Sequence, residues 1–132
     1  MPGVDALNGR CSIGVDIVDV DRLRRMVQRS GDHMLDRLLG PAERDVVCGA
    51  RGVRWDSLAG RVAAKEAVRK VFGSRGSMPR WQDIEVETGP HGEPVLLLRG
   101  DARTLADSLG FQRLLLSIAH EKSAAVAVVL AM

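Results

Sequence analysis

The stretch RVAAKEAVRKVFG, from Arg61 to Gly73, decides the fold. We predict one long helix over residues 56–72, capped by Asp56 or Ser57 and ended by Gly73, which suits a left-handed C-terminal cap. At about 100° per residue, small apolar side chains share one arc and charged side chains share the other. The apolar arc comprises Ala59, Ala63, Ala64, Ala67, Val68 and Val71. Because alanine is small, this arc predicts that neighbouring elements approach the helix backbone closely.

The charged arc places one carboxylate among four cations. Its members are Arg61, Lys65, Glu66, Arg69 and Lys70. A single Glu ringed by basic groups is able to hold a divalent metal and to bind phosphates at once. Alternatively, the arc is a solvated helix face on which Glu66 pairs with Lys70, four residues later. The helix by itself leaves both interpretations open.

Upstream of this helix, the β-branched run SIGVDIV at residues 12–18 predicts a buried strand that contains Asp16. A carboxylate buried in a strand is unfavourable unless it has a metal, a cation or several hydrogen-bond donors. Asp16 is therefore a candidate functional residue. The alternative is an Asp that caps a turn at the strand end.

A basic helix is predicted over residues 21–29, capped by Asp19 or Asp21. We expect Leu23, Met26 and Val27 on its inner side and Arg22, Arg25 and Arg29 in a row on another side. Because Arg pairs bidentately with carboxylates and phosphates, this row is suited to an acidic protein partner. A plain solvated face is the alternative.

The remaining segments complete an α+β prediction: a single domain with a small antiparallel sheet packed on the long helix and on shorter helices. The predicted elements are short helices at 33–39 and 42–48, a loop at 49–54, a β-hairpin of 83–88 with 95–98, a helix at 101–109, and strands at 113–118 and 124–130. The loop between the last two strands contains His120, at a position that often delivers a side chain to a ligand.

Composition narrows the class of protein. A chain of 132 residues is long enough for one domain, and we divide it into a flexible leader, residues 1–11, and a domain, residues 12–132. The net charge of +2 and the scarcity of aromatic residues argue against a nucleic-acid binder. The sequence has no membrane-length apolar run and no signal peptide, and Cys11 and Cys48 are isolated, so we expect a cytoplasmic protein with no membrane partner.

Three stretches taken together resemble one family: GVDIV at 14–18, RVAAKEA at 61–67 and LSIAH at 116–120. In this order and spacing they are similar to the 4′-phosphopantetheinyl transferases, in particular the small holo-acyl-carrier-protein synthase group. The resemblance implies a Mg²⁺-dependent transfer of 4′-phosphopantetheine from coenzyme A to a serine of an apo acyl carrier protein. Adenosine 3′,5′-bisphosphate would be released, in fatty acid or polyketide biosynthesis. A carrier-binding domain of the same fold without catalysis is the alternative.

The resemblance also implies roles for individual residues. The metal ligands would be Asp16 and Glu66; the catalytic residues would be Glu66, Lys70 and Asp16; the coenzyme A ligands would be Arg61, Lys65, Lys70 and His120; and the carrier-docking residues would be Arg22, Arg25, Met26 and Arg29. The group implies a homotrimer with coenzyme A between subunits, and it leaves the general base open between Glu66 and a metal-bound water. Gly40 stands where the group carries a helix-capping Thr, which predicts a looser start for the helix that contains Glu43.

Overall fold

The computed structural model describes residues 11–73 and 78–132. The predicted leader, apart from Cys11, lies outside the described residues, as do residues 74–77, which follow the long helix in the sequence. The helices are α1 (Val20–Ser30), α2 (Asp32–Leu38), α3 (Pro41–Val47), α4 (Trp55–Phe72) and α5 (Gly100–Ser108), with a 3₁₀ turn at Trp81–Asp83. The strands are β1 (Ser12–Asp19), β2 (Cys48–Gly49), β3 (Gly52–Val53), β4 (Ile84–Thr88), β5 (Pro94–Leu98), β6 (Leu114–His120) and β7 (Ala124–Ala131).

The main sheet has the strand order β1-β7-β6, and both pairs are antiparallel. In its register Ala127 lies opposite Asp16 on one side and opposite Ile118 on the other. Strands β4 and β5 form a separate hairpin, and β2 with β3 form a second, very short one. The α+β prediction is thereby confirmed.

Helix α4 packs directly on this sheet, at backbone distance from β1. A Cβ atom on Gly14 would lie 2.0 Å from the Ala67 carbonyl oxygen, so only glycine fits at this contact. Ala63, Ala64 and Ala67 have no exposed surface. The prediction from the alanine arc is therefore confirmed, and the close approach fixes the residues that follow Gly14 in β1 against α4.

Of the two predicted caps, Asp19 is the N-cap of α1, and its carboxylate accepts a hydrogen bond from the Arg22 backbone N–H at 2.8 Å. Leu23 and Val27 are buried against the rest of the chain. Met26 was predicted on the same inner side, and this is wrong because 36% of its surface is exposed. The apolar stripe of α1 is consequently narrower than its sequence suggests.

Several predicted boundaries also differ. Helix α4 begins at Trp55 and its N-cap is Arg54, since the Asp56 carboxylate accepts a hydrogen bond from the adjacent Ser57 N–H instead of capping the helix. Helix α5 likewise starts at Gly100 rather than behind an Asp101 cap. His120 is the last residue of β6 rather than a loop residue. At the other end of α4, Gly73 has φ 66° and closes the helix as predicted.

Among the described residues, no helix has both the length and the apolar character needed to cross a bilayer.

Candidate active site

Asp16 lies on the face of β1 that packs against α4, where its side chain is 18% exposed. Lys70 reaches it from the last turn of α4: its Nζ donates to Asp16 Oδ1 at 3.0 Å and to the Val15 carbonyl oxygen at 2.9 Å. The long helix therefore supplies a cation to this partly exposed carboxylate.

Glu66 lies one turn before Lys70 on the same side of α4, because residues four apart are neighbours on a helix surface. Its side chain is 36% exposed, and its Oε1 lies 4.0 Å from Arg69 Nη1. Asp16 thus contacts Lys70, and Glu66 lies one helical turn from Lys70 on the same side of α4. Together they offer the carboxylate oxygens that Mg²⁺ prefers, and Mg²⁺ commonly uses only one or two carboxylates and completes its shell with phosphate and water.

An open cleft of about 580 Å³ adjoins this region. It is lined by Glu66, Arg69, Lys70, Gly73 and Met78. Two of these five residues are cations and one is an anion, so the cleft is suited to a negatively charged ligand. We call it the cleft below.

Arg69 is a lining residue that sequence reasoning did not assign to the site. Its Cζ lies 4.5 Å from the centroid of the Trp81 ring, a cation–π distance. Trp81 lies outside α4, so no helix periodicity links the two residues. The only signal in the sequence was the position of Arg69 beside Lys70 on the charged arc.

Lys65 and Arg61 were predicted on the charged arc beside Glu66, and for both residues an outward-facing position is wrong. Lys65 has no exposed surface, and its Nζ donates to Glu43 Oε1 at 2.6 Å and to the Trp81 carbonyl oxygen at 3.0 Å. Arg61 is 8% exposed and donates from Nη1 to Ser57 Oγ at 2.6 Å. The Arg61 Nε lies 3.9 Å from Glu43 Oε2 and has no hydrogen-bond partner among the described residues.

We call Glu43, Arg61 and Lys65 the buried ion cluster. Burial lowers the pKa of the Lys65 ammonium and of the Arg61 guanidinium, while the Glu43 carboxylate acts in the opposite direction. In this arrangement a direct contact between Lys65 and a cofactor would require the pair with Glu43 to open. The cofactor role of Lys65 and Arg61 stays a prediction.

His120 does not join Asp16 and Glu66 within one chain. A Cβ atom on Gly60 would lie 3.6 Å from His120 Nε2, which places this histidine beside the first half of α4. Gly60 and Lys70 are ten residues apart, or about 15 Å along the helix axis. The structure therefore separates two of the predicted coenzyme A ligands, His120 and Lys70, along the length of α4.

Residues 12–129 match the family model of the 4′-phosphopantetheinyl transferase superfamily. The chain belongs to this superfamily. It is 45% identical over 119 residues to the holo-[acyl-carrier-protein] synthase of Desulforudis audaxviator, a match that covers 90% of each protein. The prediction of a phosphopantetheinyl transferase of the holo-acyl-carrier-protein synthase group is confirmed.

Solved structures of the same group share the fold of this transferase. The Helicobacter pylori holo-[acyl-carrier-protein] synthase in complex with coenzyme A has a TM-score of 0.76 and 31% identity, and the match covers 91% of this chain and 99% of that one. The Chronobacterium ammoniagenes ACPS-CoA complex has a TM-score of 0.79 and 32% identity, and the match covers 92% of this chain and 96% of that one.

Glu43 is the centre of the buried ion cluster, and sequence reasoning missed this role. Its carboxylate accepts from the Gly40 N–H at 3.1 Å and from the Val86 N–H at 3.0 Å, in addition to Lys65. The contact with Gly40 is one half of a capping box, and glycine has no side chain to supply the other half. This spacing was visible in the sequence, whereas the pairing with Lys65 depends on how α3 packs against α4.

The arginines of α1 divide into two sets. Arg22, Arg25 and Arg29 are exposed, as the docking prediction requires. Arg24 is exposed too, but its Cζ also lies over the Trp55 ring, 5.7 Å from the ring centroid, and so links α1 to the start of α4.

Proposed function

We propose that this transferase is a Mg²⁺-dependent holo-acyl-carrier-protein synthase that moves 4′-phosphopantetheine from coenzyme A to a serine of an acidic apo carrier protein. The observation that carries the proposal is the meeting of Asp16 and Lys70 on the side of α4 that holds Glu66, beside the cleft. Support also comes from the relatives, since two similar structures are coenzyme A complexes.

Asp16 and Glu66 are the residues that would hold the metal. Two carboxylates fit Mg²⁺, and among the described residues no group of three or more His, Cys, Asp or Glu side chains forms a denser ligand set. When bound, Mg²⁺ supplies charge neutralisation at the diphosphate and at the leaving group.

The side chains of the chain itself position the reactants. In the transfer, the carrier serine oxygen bonds to the β-phosphorus of coenzyme A, and the bond from this phosphorus to the bridging oxygen breaks. The serine proton leaves to a base, and adenosine 3′,5′-bisphosphate departs with the bridging oxygen. In this proposal the Lys70 ammonium orients the diphosphate and stabilises its charge, because positioning and electrostatic stabilisation are the main contributions a protein makes to such a step. Glu66 is the candidate general base that the chain supplies.

A homotrimer is part of the proposal because one face of the main sheet is apolar and uncovered. The exposed fractions of Ile13, Val15 and Ile17 are 69%, 54% and 67%, and Leu115 and Val128 extend the same kind of surface with 44% and 36%. An exposed apolar patch of this kind marks an interface. In a trimer, the His120 end of α4 from one subunit and the Lys70 end of α4 from its neighbour would form one shared coenzyme A site. This arrangement would account for the distance between His120 and Lys70 within one chain.

The oligomer is tested by light scattering on the purified protein. We expect a mass of three times 14.3 kDa, and an Ile17→Asp variant should give a lower mass. A monomeric wild-type protein with full transfer activity would contradict this part of the proposal.

Carrier docking is proposed for the exposed row Arg22, Arg25 and Arg29, with Met26 as an apolar contact. An Arg22→Glu variant should raise the KM for the carrier protein and weaken its dependence on salt, because opposite charges on the two proteins guide their association. Binding of coenzyme A should be unchanged. Unaltered kinetics toward the carrier would exclude this docking surface.

The decisive experiment incubates the protein with coenzyme A, Mg²⁺ and a panel of apo carrier proteins and measures the mass of each carrier. We expect the mass of the phosphopantetheine arm to be added to at least one carrier. Asp16→Ala and Glu66→Ala should be folded and inactive, whereas Asp107→Ala, at an exposed carboxylate on α5, should be active. A carrier that binds without gaining mass would favour the non-catalytic alternative.

A further inference from the structure

We infer that Arg69, held in place by Trp81, binds the diphosphate of coenzyme A in the cleft, alongside Lys70. This inference rests on the proposed function, and it adds a substrate-binding residue and a positioning residue to it. The observations that carry it are the stack of Arg69 on Trp81, the position of Arg69 in the cleft wall, and its distance from Glu66.

The stack determines which part of Arg69 is available to a ligand. The Arg69 Cζ lies over the Trp81 ring, 4.5 Å from its centroid, and arginine stacks on an aromatic ring through the flat face of its guanidinium. The N–H donors of a guanidinium point outward in its plane, and this fork matches two oxygens of a phosphate. Because the side chain is 27% exposed and lines the cleft, a ligand there is within reach of these donors.

Glu66 attracts Arg69 without occupying its donors. The Nη1 to Oε1 distance of 4.0 Å is beyond hydrogen-bond range. The other cation of the cleft, Lys70, already donates to Asp16 and to the Val15 carbonyl oxygen. The two cations of the cleft therefore differ. The described contacts of Lys70 are hydrogen bonds, whereas those of Arg69 are with the Trp81 ring and with a carboxylate that lies beyond hydrogen-bond distance.

Trp81 is itself fixed to α4 by the buried ion cluster. Its carbonyl oxygen accepts a hydrogen bond from Lys65 Nζ at 3.0 Å, and Lys65 is paired with Glu43. This bond ties the 3₁₀ turn that begins at Trp81 to α4 and so fixes the backbone from which the ring reaches Arg69. The arginine consequently loses less conformational freedom when it binds a phosphate, and such preorganisation raises affinity.

The test compares coenzyme A binding and turnover in five variants. Arg69→Ala removes the donors, Arg69→Lys keeps the charge but not the fork, Trp81→Leu removes the stack and Trp81→Phe keeps an aromatic ring. Arg103→Ala is the matched control, since Arg103 lies on α5 and pairs with Asp107. Thermal unfolding of each variant verifies that it is folded.

We expect Arg69→Ala to raise the KM for coenzyme A and its Kd by calorimetry about tenfold, the effect of losing a hydrogen bond between charged groups. Arg69→Lys and Trp81→Leu should each raise both constants by a smaller factor, about threefold. The first keeps the charge without the two parallel N–H donors, and the second keeps the guanidinium without the ring that positions it. Trp81→Phe and Arg103→Ala should match the wild type. With 3′-dephospho-coenzyme A the loss in Arg69→Ala should be the same, because the diphosphate is still present.

Two results would overturn the inference while the proposed function stands. One is an active Arg69→Ala enzyme with an unchanged KM and Kd. The other is a loss that disappears with 3′-dephospho-coenzyme A, which would place the contact at the 3′-phosphate. A wild-type protein that neither binds nor turns over coenzyme A would instead overturn the proposed function, and this inference with it.

Discussion

Lys65 and Glu66 are adjacent in the sequence, yet they belong to two opposite kinds of environment. Lys65 has no exposed surface and pairs with the equally buried Glu43 at 2.6 Å. Glu66 is 36% exposed at the edge of an open cleft, and its nearest ion-pair partner, Arg69, is 4.0 Å away. Helix α4 therefore takes part in a buried ion pair on one side and in partly exposed ion pairs on another.

The two environments give these ion pairs different physical consequences. A buried ion pair is strongly coupled, because removing one partner leaves the other charge in a medium of low dielectric. An exposed pair contributes little to stability, so its members are able to exchange partners when a metal or a phosphate arrives. The buried pair of Lys65 and Glu43 thus holds α4 against its neighbours, whereas the proposed function assigns Asp16, Glu66, Arg69 and Lys70 to the substrate side of the helix.

The largest effect on stability is expected for Lys65→Met. The substitution removes the cation that is hydrogen-bonded to the buried Glu43, leaves only the Arg61 Nε at 3.9 Å, and should lower the free energy of unfolding by about 3–5 kcal/mol. Chemical denaturation measures this loss. The matched control is Lys122→Met, which removes the same charge from an exposed loop position and should have almost no effect.

A double variant distinguishes the lost pair from lost packing. In Glu43→Gln/Lys65→Met no buried charge of the pair remains, and the amide oxygen is still able to accept one backbone hydrogen bond. Stability should therefore be regained in part relative to Lys65→Met. Equal stability of Lys65→Met and Lys122→Met would refute the idea that this side of α4 is held by an ion pair.

A smaller loss is expected for Gly14→Ala, which acts where β1 touches α4. The new methyl group would meet the Ala67 carbonyl oxygen at 2.0 Å, so the strand must shift. Overpacking of this kind lowers stability by about 1–3 kcal/mol. Because Asp16 follows on the same strand face, transfer activity should fall along with the melting temperature.

Gly49→Ala is the control for this substitution, since a Cβ atom there would meet nothing within 4 Å. Its melting temperature and activity should match those of the wild type. A Gly14→Ala enzyme with normal activity would mean that the position of Asp16 does not depend on this contact.

Lys70→Ala should show the reverse balance, with a small change in stability and a large change in activity. The pair with Asp16 is half open, with 54% of the Lys70 side chain exposed, so its removal should alter the free energy of unfolding by at most about 1 kcal/mol. Transfer to the carrier should fall on the order of a hundredfold or more, the size seen when a group aimed at developing charge is removed. Denaturation and the carrier mass assay, run on one preparation, separate the two effects.

The smallest expected effect is a pH dependence of the Lys65→Met penalty. Since burial depresses the pKa of Lys65 below 10.5, the unfolded chain binds more protons than the folded one in the interval between the folded value and 10.5. The Lys65 contribution to stability therefore increases as the pH rises through that interval. The difference in unfolding free energy between the wild type and Lys65→Met should be larger at pH 10 than at pH 7, and a smaller difference would contradict the direction of the shift.

The sequence by itself determined the long helix, its glycine C-cap, the strand with Asp16 and the α+β class. These features depend on local properties: alanine propensity, helix periodicity, β-branched runs and the backbone freedom of Gly73. The same periodicity placed Lys65 and Glu66 on one charged arc, because a helical wheel records angle and does not record what covers each sector.

Only the tertiary structure decided which of those charges are covered. The packing of α3, the 3₁₀ turn and β4 against α4 enclosed Lys65 and Arg61 around Glu43, and the packing of β1 delivered Asp16 to Lys70. These partners are separated by 22 residues for Lys65 and Glu43 and by 54 for Lys70 and Asp16. Contacts at such separations depend on how whole elements meet, and no local pattern in the chain specifies them.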